Sequence, residues 1–521
     1  MSVGVHPTGS VVAGLIVCAA ATLAACTSSP SAAPPHHPPH DSGPATTSTT
    51  APPVTTAPTA TTVPSATALP VAPIAWTACG LDEQCGFVTV PVSYRAPHGP
   101  TVRMALERHL AADPAHRIGS LVIDPGGPGG SGIDDMQNEL DSLTPTLLNA
   151  FDVVLFDPRG VQRSDPFTCG STSGNSASGA SAPGDPVPTT AADRTAFFRS
   201  AAEYAQGCKR ASGALLPNLG TLDVARDIER LRIALGGSKL YYMGQSYGTL
   251  IGEEYLELYP GHVAAMVLDS PIDPALGTDQ FTADQAVSFE RVLHDFFSWC
   301  AGTSACPWHT TRDPTAALNN LVTRSLTQPH GGYASPSDVY NAVLDTLYSP
   351  NAWPSLGDAL AADEAGSATS AGSLASSYNT SNSTNSNDAF IGVNCLDHPV
   401  SRSVQHWGPL ATSLARTAPF FGPLFAWGEA QCAVWPALPT RAPGAITGHG
   451  GPPVLVVGTT GDPATPYRWA VDVAHQLSGA ALVTFQGDYH VAYFYSACVR
   501  ASIDAYFVHG TVPARGTVCA N

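Results

Sequence analysis

The chain is 521 residues long, 44% hydrophobic and 12% charged, with a formal net charge of -18. That apolar share excludes a wholly disordered chain, and the acidic balance argues against a nucleic-acid binder needing a basic face. The length suits one large α/β domain carrying an insertion as well as several average domains.

The first predicted element is an address. Val11 to Ala25 is an uncharged apolar run ending Leu23-Ala24-Ala25-Cys26. About 15 residues is too short to span a bilayer but suits the apolar region of a signal peptide. The small residues before Cys26 resemble a lipobox, so residues 1–25 read as a lipoprotein signal peptide and Cys26 as the lipidated first residue. The run departs from the pattern in having only His6 before it, with no Lys or Arg, and an ordinary cleaved signal with Cys26 as a bystander is the alternative. Residues 26–73 are Pro, Thr, Ser and Ala with almost no large apolar side chain. Such a segment cannot offset its ordering entropy and is expected to be a tether. The expected location is therefore the outer face of a bacterial cell membrane, held by lipid, or the medium.

Cysteine usage agrees with export. With Cys18 cleaved and Cys26 lipidated, the others fall as neighbours: Cys79/Cys85, Cys169/Cys208, Cys300/Cys306, Cys395/Cys432 and Cys498/Cys519. Short loops favour disulfides within these pairs. No CxxC and no tight Cys/His cluster suggests zinc, so no metal is expected.

Phe87–Val92 and Val102–Leu106 predict short opening strands. Gly119–Asp124, Phe151–Phe156, Lys239–Met243, Ala264–Leu268, Val454–Val457 and Ala481–Phe485 are apolar runs of the kind buried on both faces of a parallel sheet. Between them lie helical patterns, among them the stripe Leu222, Ala225, Ile228, Leu231 and Leu235, ended by Gly236-Gly237. Strand alternating with helix predicts an α/β domain. No strong strand run occurs from Leu268 to Val454, where Ala283–Phe297 and Asp338–Leu347 read as helices and Gly366–Asn387 is low-complexity Ser/Thr/Asn. The expected organisation is a core over 74–272 and 449–521 with a helical lid over 273–448. Gly170–Ala192 reads as a mobile loop closed by Cys169 and Cys208.

The chemistry is carried by three strand ends. After Lys239–Met243 comes Gly244-Gln-Ser246-Tyr-Gly248, then a helical pattern to Leu258. A bare GxSxG is a weak signal. Placed between strand and helix, it predicts a strained turn that lifts a serine hydroxyl clear of the sheet. The Tyr247 N–H, at the helix N-terminus, is one candidate oxyanion donor. A second is expected from Gly126-Gly-Pro-Gly-Gly-Ser-Gly132, with Gly126 and Gly127 both open; no Gly-Lys-Ser/Thr follows that would make it a phosphate loop. Asp462 follows the Val454 strand and His490 the Ala481 strand, giving the order Ser, Asp, His. Asp269 is the rival acid. His490 would take the Ser246 proton, and Asp462 would orient its ring.

These residues, taken with Trp76-Thr-Ala-Cys79, Val90-Pro-Val-Ser-Tyr94, Asp157-Pro-Arg-Gly160, Leu268-Asp-Ser-Pro-Ile-Asp-Pro274 and Gly461-Asp-Pro-Ala-Thr-Pro466, resemble the actinobacterial tripeptidyl aminopeptidases. These are exported α/β-hydrolases related to proline iminopeptidases, some known as carboxylesterases. The resemblance spans about Trp76 to Cys519. It implies an α/β-hydrolase fold with a mostly parallel sheet and an inserted helical lid. It implies release of tripeptides from free peptide N-termini, favours Asp462 over Asp269, and has the lid read the free amine. Asp397, in Asn394-Cys-Leu-Asp397, is the candidate amine-binding acid. No cofactor, no nucleic acid and a monomer are expected, with the membrane reached only through the lipid. An esterase using the same triad is the second reading, and a catalytically silent binding module the third.

Overall fold

Ten strands form one sheet: β1 (Thr77–Ala78), β2 (Glu83–Pro91), β3 (Thr101–His109), β4 (Gly119–Asp124), β5 (Phe151–Phe156), β6 (Leu240–Gln245), β7 (Val263–Asp269), β8 (Leu455–Thr459), β9 (Ala481–Phe485) and β10 (Thr517–Cys519). Their spatial order is β1-β2-β3-β5-β4-β6-β7-β8-β9-β10. The first three strands pair antiparallel with one another and onto β5, and from β5 to β10 every pairing is parallel. This computed structural model describes residues 70–170, 186–328, 332–367, 369, 371–372, 374 and 385–520. The expected signal peptide, Cys26 and nearly all of the tether lie outside the described residues, as do 171–185 and much of the Ser/Thr/Asn tract.

Alternation along the strands explains why the central ones read as unbroken apolar runs. Val122, Val154, Tyr242, Leu268 and Val456 face one layer, whereas Leu121, Ile123, Val153, Met243, Val267 and Val457 face the other. Successive side chains point to opposite faces, so a sheet covered on both sides needs apolar residues at every position. The helices α1 (Gly132–Ser142) and α2 (Pro145–Ala150) cover the second face through Met136 and Leu147. Next come α3 (Ala191–Ser212), α4 (Thr221–Ala234) and α5 (Tyr247–Leu258). Val224, Ile228 and Leu231 of α4 and Leu250, Ile251 and Tyr255 of α5 cover the first face.

Between β7 and β8, all regular structure among the described residues is helical. It comprises α6 (Thr278–Ala301), α7 (Pro314–Thr327), α8 (Pro336–Thr346), α9 (Trp353–Glu364), α10 (Ser386–Asp397), α11 (Trp407–Leu414) and α12 (Phe421–Ala430). Helices α6 to α9 share a core of their own, built on Phe289, Phe296, Trp308, Leu321, Val343, Trp353 and Phe421. The chain then returns to the sheet with α13 (Tyr467–Gln476) and α14 (Ala497–His509). Helix α3 also joins this cap, since Phe197 and Phe198 pack on Trp427 of α12 with ring centroids 5.3 and 6.0 Å apart.

Arg159 of the Asp-Pro-Arg-Gly segment is a structural post. Its Nε and Nη2 each donate to Asp227 at 2.6 Å, and its other donors reach the carbonyls of Pro91, Val92 and Asn218. A buried guanidinium is tolerable only when its donors are met in this way. The cysteine pairs are Cys79–Cys85, Cys169–Cys208, Cys300–Cys306, Cys395–Cys432 and Cys498–Cys519.

Candidate active site

Three strand ends meet at one edge of the sheet. Ser246 follows β6 directly and caps α5 with φ 53° and ψ −126°. Such backbone is unfavourable for any side-chain-bearing residue, by roughly 1–3 kcal/mol, and persists only where its neighbours enforce it. The Ser246 N–H donates to the Asp269 carbonyl at 3.0 Å, and its carbonyl accepts the N–H and hydroxyl of Thr249. A Cβ at Gly244 would be driven into the Gly248 carbonyl, and one at Gly248 into the Asp124 carbonyl. The two glycines of the motif are thus demanded by the tightness of the turn.

The ring of His490 is held by Asp462. Nδ1 lies 2.9 and 3.0 Å from the two carboxylate oxygens. Asp462 is fully buried and accepts the N–H of Ala464 and of Thr465, at 2.9 and 2.8 Å, and the Thr465 hydroxyl at 3.0 Å. The opposite ring nitrogen, Nε2, is buried and has no hydrogen-bond partner among the described residues.

Asp269, the rival acid, is occupied elsewhere. Its carboxylate accepts the N–H groups of Ala492 and Tyr493 at 3.1 and 2.8 Å, and the next hydroxyl, Ser270 Oγ, accepts the Val491 N–H at 3.0 Å. Ser270 and Val491 both carry positive φ. Burial pushes the Asp269 carboxyl up to about 6. The same residue therefore binds the Ser246 turn through its carbonyl and the His490 loop through its side chain.

The two oxyanion candidates from the glycine loop are distinguished by one hydrogen bond. Gly126 donates its N–H to Asp124 Oδ1 at 2.9 Å, so that donor is consumed. Gly127 lines the cavity, and its N–H has no partner among the described residues. The Tyr247 N–H is the first of α5 and has no intrahelical acceptor. The positive φ of Gly126 (94°) presses the loop against this turn, where a Cβ would meet the Gln245 carbonyl at 2.6 Å and the Tyr247 nitrogen at 2.9 Å.

A cavity of about 370 Å³ opens over Ser246, Tyr247 and Gly127 and is roofed by the cap. Its walls include the aromatic side chains of Phe281, Phe289, Tyr348, Phe425 and Trp427. His398 also lines it, and burial pushes the imidazole down to about 4, so it is neutral. The cap is bound to the acid and histidine loops: Ser288 Oγ donates to the Asp462 carbonyl at 2.6 Å, Gln285 to the Ala464 carbonyl at 2.8 Å, and the His490 N–H to the Tyr348 carbonyl at 3.0 Å.

Asp397 requires a correction. It is 1% exposed and does not line the cavity, although Asn394 and His398 beside it do. One oxygen accepts the Thr221 N–H at 2.9 Å and the other the hydroxyls of Thr221 and Tyr247. Its helix turns the carboxylate toward α4 and α5, where it braces the Tyr247 ring and leaves no oxygen facing a substrate. The carboxylate that does line the cavity is Glu429 on α12. Two positions escaped the sequence reading: Glu429, detectable only as the lone charge in the helix Phe421–Ala430, and Thr465, hidden in the turn after Asp462.

Residues 418–519 match the family described as TAP-like protein. The chain is 32% identical to a tripeptidyl aminopeptidase of Streptomyces lividans, over 86% of this chain and 87% of that protein. It is 34% identical to serine protease Hip1 of Mycobacterium tuberculosis, over 86% and 91% of the two chains. Carboxylesterase B of Mycobacterium tuberculosis is 34% identical, over 84% and 86%.

Proposed function

The chain belongs to the tripeptidyl aminopeptidase family of α/β-hydrolases, and from that premise we propose that it is an exported serine exopeptidase releasing tripeptides from free peptide N-termini. The observation that carries the reading is His490, clamped through Nδ1 by both Asp462 oxygens while Nε2 is left without a partner.

In this reading the Ser246 hydroxyl gives its proton to His490 Nε2 as Oγ forms a bond to the scissile carbonyl carbon. The Gly127 and Tyr247 N–H groups receive the carbonyl oxygen as it gains charge. Collapse breaks the C–N bond, and the proton on Nε2 passes to the departing amine. Water, deprotonated by His490, then attacks the acyl-enzyme and frees the tripeptide and Ser246. Asp462 holds the ring in the tautomer whose Nε2 accepts, and balances the imidazolium charge.

Residues 1–25 act as signal peptide, Cys26 carries lipid, 26–73 tether the protein, 74–272 and 449–521 form the catalytic core, and 273–448 form its lid. Five disulfides support an oxidising compartment outside the cytoplasm. No helix among the described residues is long and apolar enough to cross a membrane. The protein is proposed to act as a monomer.

The test is a product analysis. An unblocked decapeptide is incubated with the protein and the early products are identified by mass. Appearance of the N-terminal tripeptide with its complementary heptapeptide is expected; single residues or internal fragments would overturn the tripeptide reading. Esterase action on the same triad is the second reading, supported by the similarity to Carboxylesterase B.

A further inference from the structure

Helix α10 closes on Asn394-Cys-Leu-Asp-His-Pro399, and the proline decides how its last residues are used. A residue before proline is pushed out of helical backbone. His398 accordingly takes φ −106° and ψ 108°, and its N–H donates to the Asn394 carbonyl at 2.9 Å. The two neighbours then part. Asp397 is spent on Thr221 and Tyr247, whereas His398 joins the cavity wall.

His398 is only 8% exposed, and its ring is fixed by aromatic packing. Phe281 meets it edge to face with centroids 4.6 Å apart, and Phe281 is itself stacked on Trp469 at 5.0 Å. Neither ring nitrogen has a hydrogen-bond partner among the described residues. Burial, with the charge of Arg441 adding to it, keeps the ring neutral, so one nitrogen donates and the other accepts. Leaving such a group unpaired is costly, and its partner must come from whatever fills the cavity. A peptide unit matches it, because it presents one N–H and one carbonyl. An exopeptidase whose substrate enters under a cap encloses the acyl end and leaves the rest outside. A group this deep therefore meets the tripeptide rather than the departing chain.

We propose that His398 hydrogen-bonds a backbone amide of the tripeptide being released and so favours peptidyl over simple acyl groups; the inference rests on the peptidase reading above. If the ring served packing alone, phenylalanine would replace it without loss.

The experiment compares the wild-type protein with His398→Phe, which keeps the packing on Phe281 and loses both polar atoms. The substrates are a free-amine tripeptide anilide, two depsipeptide versions in which one or the other internal amide is an ester, and a short acyl ester. In the variant, kcat/KM on the anilide should fall about tenfold, mainly through KM, while the acyl ester loses less than about threefold. One depsipeptide should cost the wild type about tenfold relative to the all-amide anilide, yet cost the variant less than about twofold, because the bond it deletes is already gone. Wild-type rates in the variant, equal losses on anilide and acyl ester, or the same depsipeptide penalties in both proteins would overturn the proposal and leave the peptidase reading standing. If the wild type turns over only the acyl ester, that reading fails and the hydrogen bond fails with it. Should His398→Phe not fold, His398→Ala takes its place in the same comparison, with the same outcomes deciding.

Discussion

Asp462 and Asp269 lie at the ends of adjacent strands and are both fully buried, yet the structure assigns them different work, and a pair of isosteric substitutions separates it. In Asp462→Asn, one side-chain oxygen remains to accept the N–H groups of Ala464 and Thr465, now met by Oδ1 at 2.9 and 2.8 Å. The amide NH2 is then left facing His490 Nδ1. A donor there forces Nδ1 to accept, moves the ring proton to Nε2, and removes the base that Ser246 needs. The loss expected for a wrong tautomer is about 10⁴ in kcat, or about 5 kcal/mol of transition-state stabilisation. KM should change little, because Asp462 is not among the cavity-lining residues. In Asp269→Asn the oxygens meet only backbone donors of Ala492 and Tyr493, so the ring keeps its tautomer. That variant should lose stability, by about 1–3 kcal/mol for a weakened buried contact, and retain at least a tenth of kcat. Steady-state kinetics on one chromogenic substrate and urea unfolding of both variants give the comparison. Equal kcat losses, or an Asp462→Asn variant retaining a tenth of its kcat, would refute the assignment of the ring's partner.

Three further outcomes follow from the same contacts. Gly126→Ala should lower kcat by about a hundredfold or more, since its Cβ would strike Gln245 and Tyr247 backbone and displace the oxyanion donors; kcat within threefold of wild type would contradict this. Glu139 is buried with Oε1 unpartnered, and burial pushes its carboxyl up to about 8, against an ordinary value of about 4.3 when unfolded. The folded state thus holds the proton more tightly, so this contribution to stability is full below about pH 4 and is lost as pH rises through about 8. Glu139→Gln should flatten the fall in unfolding free energy between pH 5 and 8.5, and an unchanged slope would count against a buried, protonated acid. Removing Cys395–Cys432 by paired alanines opens a loop of separation 37 in the cap, which chain entropy values at about 4 kcal/mol; a melting temperature equal to wild type would show that the cap does not depend on that link.

The sheet was legible where burial on both faces leaves few polar positions. Gly119–Asp124, Phe151–Phe156 and Ala481–Phe485 are strands with those bounds. The edge strands Thr77–Ala78 and Thr517–Cys519 are too short to leave a pattern. Helix α3 escaped because its buried positions are the small residues Ala201, Ala205 and Cys208, which carry no conspicuous apolar stripe. At the site, residues bound to local backbone geometry could be read, as with Ser246 between its glycines. Residues with no local motif, whose role turns on which distant group they contact, could not. Asp397 reads as a candidate amine-binding acid of the lid until Thr221 and Tyr247 are seen to enclose it. Gly126 and Gly127 are equivalent in sequence until the Asp124 side chain claims one of them. Glu429 becomes noticeable only once cap and core enclose a common cavity.

The most direct test of the central claim is a rate comparison on the purified protein, with Ser246→Ala as blank. The substrates are a tripeptide anilide with a free amine, its N-acetylated twin, and a short acyl ester. The account predicts cleavage of the free-amine anilide, loss of that activity on acetylation, and no turnover by the blank. Turnover of the ester alone would contradict it, leaving an esterase built on the same serine, acid and histidine.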